Sequence, residues 1–188
     1  MSQVSKVPLK IIQESIREKV EFELAEDQFG FRTSKGTREA VSCVRNLLER
    51  AIEMQNDVHL CFIDYRKVFD RVRHDQLIQD LQDITVDGKD LRIIINLYWN
   101  QEASVRIGNS CSGFVAIERG VRQGCVLSPT LYNLYAEKIT RSIEDKEGIR
   151  VGGRNINSIR YADDTTIIAN SEAKLMSILH SIDKKAGT

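Results

Sequence analysis

Residues 158–169, SIRYADDTTIIA, constrain the fold more than any other stretch of the chain. Ile159 and Tyr161 alternate with polar neighbours ahead of two aspartates, and residues 165–169 are β-branched and apolar behind them. Both sides therefore read as β-strands joined by a tight turn. A chain that needs only a turn favours Asn-Gly or Asp-Gly there, yet here Asp163 and Asp164 stand side by side, where their charges repel. Such a hairpin needs a further strand to pair with. The apolar run VHLCFI (58–63) has no polar face and is expected to be a central strand buried on both sides. Asp64 follows it directly, so pairing of that strand with the hairpin brings Asp64 to the acidic turn.

Around these strands the apolar spacing is helical. Leu9, Ile12, Ile16, Val20 and Leu24 predict a helix over 8–24, and Ala40, Val44, Leu47, Leu48 and Ala51 a second one. Further helices are expected near 75–83, 88–99 and 172–185. ASVRIG and GFVAIE read as two strands around a turn at 109–113. Ser128 followed by Pro129 has the form of a helix N-cap with proline at the first helical position, and Tyr132, Tyr135, Ala136, Ile139 and Ile143 continue that helix. The expected class is α+β, with helices packed against a small, mostly antiparallel sheet.

Composition narrows the function. At 188 residues and 41% hydrophobic content, the chain is expected to bury one core as a single domain. Its 27 basic and 27 acidic residues cancel, and without a basic block the charge alone argues mildly against a nucleic-acid partner. Cys43, Cys61, Cys111 and Cys125 lack CxxC spacing, which points away from a zinc site or a disulfide scaffold and toward reduced thiols inside a cell. MSQVSKVPLK has no apolar signal region, and no run approaches the ~18 apolar residues of a membrane span. The chain is thus expected to be soluble, intracellular (nuclear or cytoplasmic) and not secreted. His59, His74 and His180 lack ligand spacing.

Carboxylates gathered at one point raise each other's proton affinity unless a cation neutralises them. Magnesium suits such a cluster, because it takes a few carboxylates and keeps room for water and substrate phosphates. Two such ions, ~3.5–4 Å apart, stabilise the attacking and leaving oxygens of an in-line phosphoryl displacement. A solvated turn beside a strand-end aspartate is the plain alternative, and the residues of the turn alone leave both open.

Four segments in order resemble reverse transcriptases, most closely those of LINE-type (non-LTR) retrotransposons. EDQFGFRTSKGTREAV (26–41) looks like the fingers motif of that group, and FIDYRKVFDRVRHDQL (62–77) like its first catalytic motif. GVRQGCVLSPTLYNLY (120–135) is similar to the motif lining the nucleotide pocket, and YADD (161–164) to the reverse transcriptase box itself. The resemblance implies a polymerase palm with part of a helical fingers subdomain: 1–57 and about 75–118 fingers-like, 58–74 and 119–188 palm-like. It implies RNA-directed DNA polymerase activity on an RNA template with a DNA primer and dNTP, with two Mg²⁺ ions (Mn²⁺ as a substitute) and no membrane.

On the same resemblance Asp64, Asp163 and Asp164 are the catalytic and metal-binding residues. Phe69 stands where the family carries an aromatic wall against the ribose 2′-OH. Gln123 and Gly124 match the pocket motif, and Arg32 matches a fingers position that meets the triphosphate. Val68 departs from the family's usual alanine. The resemblance further implies a domain incomplete at both ends, without the first fingers motif, thumb or endonuclease, and joined in life to the rest of a retroelement polyprotein. Two other classes remain open: a catalytically dead or co-opted relic that keeps the fold and binds nucleic acid or protein, and another two-metal palm enzyme such as a nucleotidyl cyclase. The QGCVLSP segment and Phe69 disfavour the latter.

Overall fold

Each helix that the apolar spacing predicts forms. A computed structural model describes residues 3–65, 67–99 and 101–186. In chain order the elements are α1 (Gln3–Glu23), α2 (Thr37–Glu53), β1 (His59–Asp64), α3 (Val68–Arg71), α4 (His74–Asp83) and α5 (Gly88–Tyr98). They continue with β2 (Gln101–Ala103), β3 (Arg106–Ile107), β4 (Ser110–Cys111), β5 (Val115–Ile117) and α6 (Ser128–Thr140), which a 3₁₀ turn extends over Arg141–Ile143. Last come β6 (Ile149–Val151), β7 (Arg154–Ile156), β8 (Ser158–Tyr161), β9 (Asp164–Ala169) and α7 (Glu172–Ala186). No helix among the described residues is long and apolar enough to cross a membrane.

The elements divide between two compact units. The first takes α1 and the segment Lys67–Tyr135; the second takes the segment from Leu24 through β1 and the segment from Ala136 onward.

In the first unit α5 packs against both α1 and α4. Ile12, Ile16, Leu77, Leu81 and Ile94 are buried there, the apolar stripes that the spacing predicted. Asp87 caps α5, its carboxylate accepting from the Lys89 amide at 2.9 Å, which satisfies one of the donors that a helix start leaves free. The 101–117 segment is a nested ribbon, β2 pairing with β5 and β3 with β4. Its tip is Gly108–Asn109, ahead of the expected 109–113, because Gly108 takes the positive φ (+60°) that a two-residue hairpin needs.

The second unit is built on a three-stranded antiparallel sheet in the order β1-β9-β8. One face packs on α2 through Leu60, Ile159 and Ile168 against Ala40, Val44 and Leu47. The other packs on α7 through Cys61, Ile167 and Ala169 against Ile178 and Ile182. The central strand is thus β9, whose Ile167, Ile168 and Ala169 are wholly buried. The expectation that VHLCFI is central is corrected: among the described residues β1 pairs with β9 alone, and it is half-exposed, with Phe62 72% accessible. A run of apolar residues cannot distinguish an edge strand covered on most of both faces from a central one. The β6–β7 hairpin was not anticipated, although Gly152–Gly153, both at positive φ, is the signal for it.

Candidate active site

The sheet register decides how the acidic residues meet. Asp64, the last residue of β1, lies directly opposite Asp164, the first of β9, and Asp164 in turn faces Tyr161 at the end of β8. Residues in such register share one face of the sheet, so Asp64 and Asp164 project together beyond Phe62 and Thr166. Both are exposed, while Asp163 is half-buried in the turn. The β8–β9 loop is only Ala162–Asp163. Ala162 has φ +57°, a conformation usually left to glycine at the first central position of a hairpin turn. A non-glycine residue held there is strained by roughly 1–2 kcal/mol, and such strain persists only where the surroundings impose it.

Among the described residues no three His, Cys, Asp or Glu side chains are gathered closely enough to cage a metal ion. The site is instead an in-register pair of carboxylates with a third beside it on the turn. This donor set is all oxygen and open to water. It fits a hard cation that is bound through one or two carboxylates and keeps its remaining positions for water and substrate phosphates. Beside Asp164 runs an apolar groove of about 510 Å³ between α2 and the same sheet face, walled by Val41, Val44, Leu48, Ile52 and Phe62.

Beneath the turn, on the opposite face, lies a charged cluster that the sequence reading missed. Arg160 is 2% exposed. Its Nε donates to Asp27 Oδ2 (3.0 Å), and its Nη2 donates to Asp27 Oδ1 (2.5 Å) and to Glu137 Oε2 (3.0 Å). Its Nη1 donates to the Thr140 hydroxyl, and Ser158 Oγ donates to Asp27. One guanidinium thus serves two carboxylates. Burial pushes the Glu137 carboxyl above its ordinary value, and the Asp27 charge adds to that while Arg160 opposes it. Only the strand alternation around Arg160 hinted at this inward position.

The remaining site residues of the sequence reading divide between the units. Arg32 belongs to the second, where its Nη1 donates to the carbonyls of Ala25 (2.6 Å) and Gln28 (3.1 Å), bracing the turn that leads out of α1. Phe69, Gln123 and Gly124 belong to the first. Phe69 sits in α3, an element the periodicity did not reveal, with its ring centroid 4.8 Å from that of Tyr132. Its carbonyl accepts from the Val121 amide at 2.7 Å, and the Gly120 amide donates to Val72 at 2.8 Å. The pocket motif is therefore bound to the segment after the first catalytic motif by its own backbone. His74 assists, one ring nitrogen meeting the Gly120 carbonyl at 2.7 Å.

Residues 122–125 form a turn closed by Cys125 N to Arg122 O (3.1 Å), with Gly124 at φ +77° in the position where a type II turn demands it. None of the described residues comes within 4 Å of the place of a Gly124 side chain, and Gln123 is exposed beside it. Ser128 does not act as the expected N-cap. It is the first residue of α6, and its hydroxyl donates to the Arg122 carbonyl at 2.6 Å, securing this turn to the helix.

The fold and the sequence both have counterparts among known proteins. A telomerase of Candida tropicalis, in the apo form and truncated of its C-terminal domain, superposes over 95% of the chain and 38% of its own length with a TM-score of 0.68 at 12% identity. A telomerase of Candida albicans bound to a fragment of telomeric RNA gives 0.60 over 97% of the chain and 31% of its own. At such identity the likeness shows the fold, that of a polymerase palm with fingers. The profile of the family described as reverse transcriptase (RNA-dependent DNA polymerase) matches residues 1–188, and the chain belongs to that family. The RNA-directed DNA polymerase of the mobile element jockey from Drosophila funebris is 32% identical over 77% of the chain. The Pol polyprotein of the retrotransposable element R2 from Nasonia vitripennis is 24% identical over 83%. The chain spans 15% of the length of each of these two relatives.

Proposed function

We propose that Asp64, Asp163 and Asp164 form the catalytic centre of an RNA-directed DNA polymerase of a non-LTR retrotransposon, joined to the remainder of such a polyprotein. The reaction is attack of a primer 3′-oxygen on the α-phosphorus of a dNTP, forming one phosphodiester bond and breaking the α–β anhydride as pyrophosphate leaves. The observation that carries the reading is the register of Asp64 opposite Asp164 beside a two-residue turn holding Asp163.

Asp64, Asp163 and Asp164 would hold Mg²⁺, or Mn²⁺ in its place. When bound, the ions lower the pKa of the attacking hydroxyl and neutralise charge on the phosphates. Phe69, its ring supported by Tyr132, presents a wall against a ribose 2′-oxygen. Steric exclusion is needed there, because apolar contact alone rejects an added hydroxyl by only about 100-fold. Gln123 offers polar contacts to the nucleotide, and the exposed turn at Gly124 lets a nucleotide approach the backbone closely. Arg32, already fastened by Nη1, matches phosphate recognition through its guanidinium fork.

The test is a graft. The chain replaces the matching stretch of the jockey polymerase, and primer extension is measured on an RNA template. DNA synthesis that is lost in Asp163→Asn and in Asp64→Asn is the expected outcome. A folded graft that binds primer–template yet makes no DNA with all three aspartates intact would sink the reading and favour a relic that keeps only the fold.

A further inference from the structure

The strained turn raises the question of what imposes it. Residues 27–29 run parallel to β8 as an additional edge of the sheet, with Arg160 N donating to Asp27 O and Phe29 N to Arg160 O, both at 2.8 Å. This edge ends at the acidic turn. Gln28, wholly buried, turns its carboxamide into it. Its Oε1 accepts from Gly30 N at 2.8 Å and from Ala162 N at 3.1 Å. Two amide donors facing one atom require that atom to be the oxygen, whichever way the carboxamide is drawn. Nε2 has no hydrogen-bond partner among the described residues, so the side chain is oriented through its acceptor alone. Gly30 closes the contact, since a Cβ built there would lie 2.1 Å from Ala162 N.

We infer that Gln28 is a positioning residue for the acidic turn: by holding the Ala162 amide it sets the backbone from which Asp163 and Asp164 project, and with it their affinity for a divalent cation. This rests on the metal-binding reading of those aspartates. The amide of the first central residue in a two-residue hairpin lies outside the strand ladder, so it needs a partner from elsewhere when buried. The partner here also pins the residue at positive φ. Groups that orient metal ligands from behind commonly alter affinity by about 10- to 100-fold when removed.

The experiment uses the full 188-residue chain and reads two quantities. Hydrogen exchange of the Ala162 amide, followed by NMR without metal, reports the clamp. Mn²⁺ affinity, from water-proton relaxation at a temperature where circular dichroism shows each variant folded, reports its consequence. Gln28→Leu should speed exchange at Ala162 by about tenfold or more, leave Ile167 and Ile168 protected, and weaken Mn²⁺ binding by about tenfold or more. Gln28→Glu keeps an acceptor and loses no bond at the unpartnered Nε2, so it should retain protection of the Ala162 amide; only exchange is compared in this variant, because an added carboxylate beside the acidic turn acts on a cation by itself. Should the Leu variant not fold, Gln28→Asn, one methylene too short to reach, is read in the same two ways.

Wild-type protection at Ala162 in a variant without a reaching acceptor overturns the inference. So does a released Ala162 amide with unchanged Mn²⁺ affinity, which would make Gln28 an ordinary packing residue. If the wild-type chain binds Mn²⁺ no better than Asp64→Asn, the metal reading itself fails, and the exchange result alone decides whether Gln28 holds the turn.

Discussion

Phe69 is a packing residue that the proposed function also makes a wall. Its half-buried ring lies against Tyr132 with an interplanar angle of 34°, a contact worth roughly 0.5–1.5 kcal/mol beyond the area it buries. Phe69→Val in the grafted polymerase removes the bulk and keeps an apolar residue. The ratio of ribonucleotide to deoxynucleotide incorporation should rise by about tenfold, the equivalent of ~1.4 kcal/mol, with dNTP use little changed. A ratio that stays put while the melting temperature falls would assign the ring to packing alone. Gly124 is a contrasting residue. Its turn requires positive φ, and the same missing side chain leaves the exposed backbone open to close approach.

At the scale of elements, β8 is held from both sides: by α2 on one face and by the cluster of Asp27, Arg160 and Glu137 on the other. Removing one partner from a buried ionic group typically costs about 3–5 kcal/mol, and here the loss would fall on the strand that carries the acidic turn. The cluster also makes stability depend on pH in a stated direction. Burial raises the folded-state value of Glu137 above its ordinary 4.5, so the native state keeps a proton that the unfolded chain has released. Glu137 therefore contributes a loss of stability as pH rises from 4.5 through its raised value. Each unit of displacement corresponds to about 1.4 kcal/mol. Glu137→Gln keeps an acceptor for Arg160 and cannot ionise. Urea unfolding between about pH 5 and 8 should show a flatter profile and equal or greater stability at neutral pH. A variant profile parallel to the wild type's would mean that Glu137 is already ionised throughout.

Over the whole molecule, charge and positioning set what the 188 residues can do by themselves. Formal net charge is zero, and affinity for a nucleic-acid backbone scales with the phosphates neutralised. Alignment of two reactants can supply roughly 7–11 kcal/mol of rate acceleration, and a weakly held primer forfeits much of it. The isolated chain is therefore expected to bind primer–template weakly even at low salt, with a shallow salt dependence by fluorescence anisotropy. It should give no robust extension on an RNA template with Mn²⁺. Exposed Phe62, Ile107 and Phe114 add apolar surface of the kind that partner segments cover in larger assemblies. Vigorous synthesis by the isolated chain, abolished by Asp163→Asn, would show that these residues suffice.

The hairpin at 158–169, the six longer helices and the proximity of Asp64 to the acidic turn were legible in the sequence, because each follows from a local period or an adjacent motif. Local pattern also named the family. It could not rank the strands, since the apolar runs of β1 and β9 look alike until pairing leaves one at the edge. Nor could it say that Asp164, rather than Asp163, lies opposite Asp64, because a slip of one residue reverses every side chain and only the packed faces choose the register. Arg160 with Asp27, and Gln28 with Ala162, join residues 133 and 134 positions apart. A buried polar group takes whatever partner the tertiary structure brings within reach, and no periodicity announces which one that is.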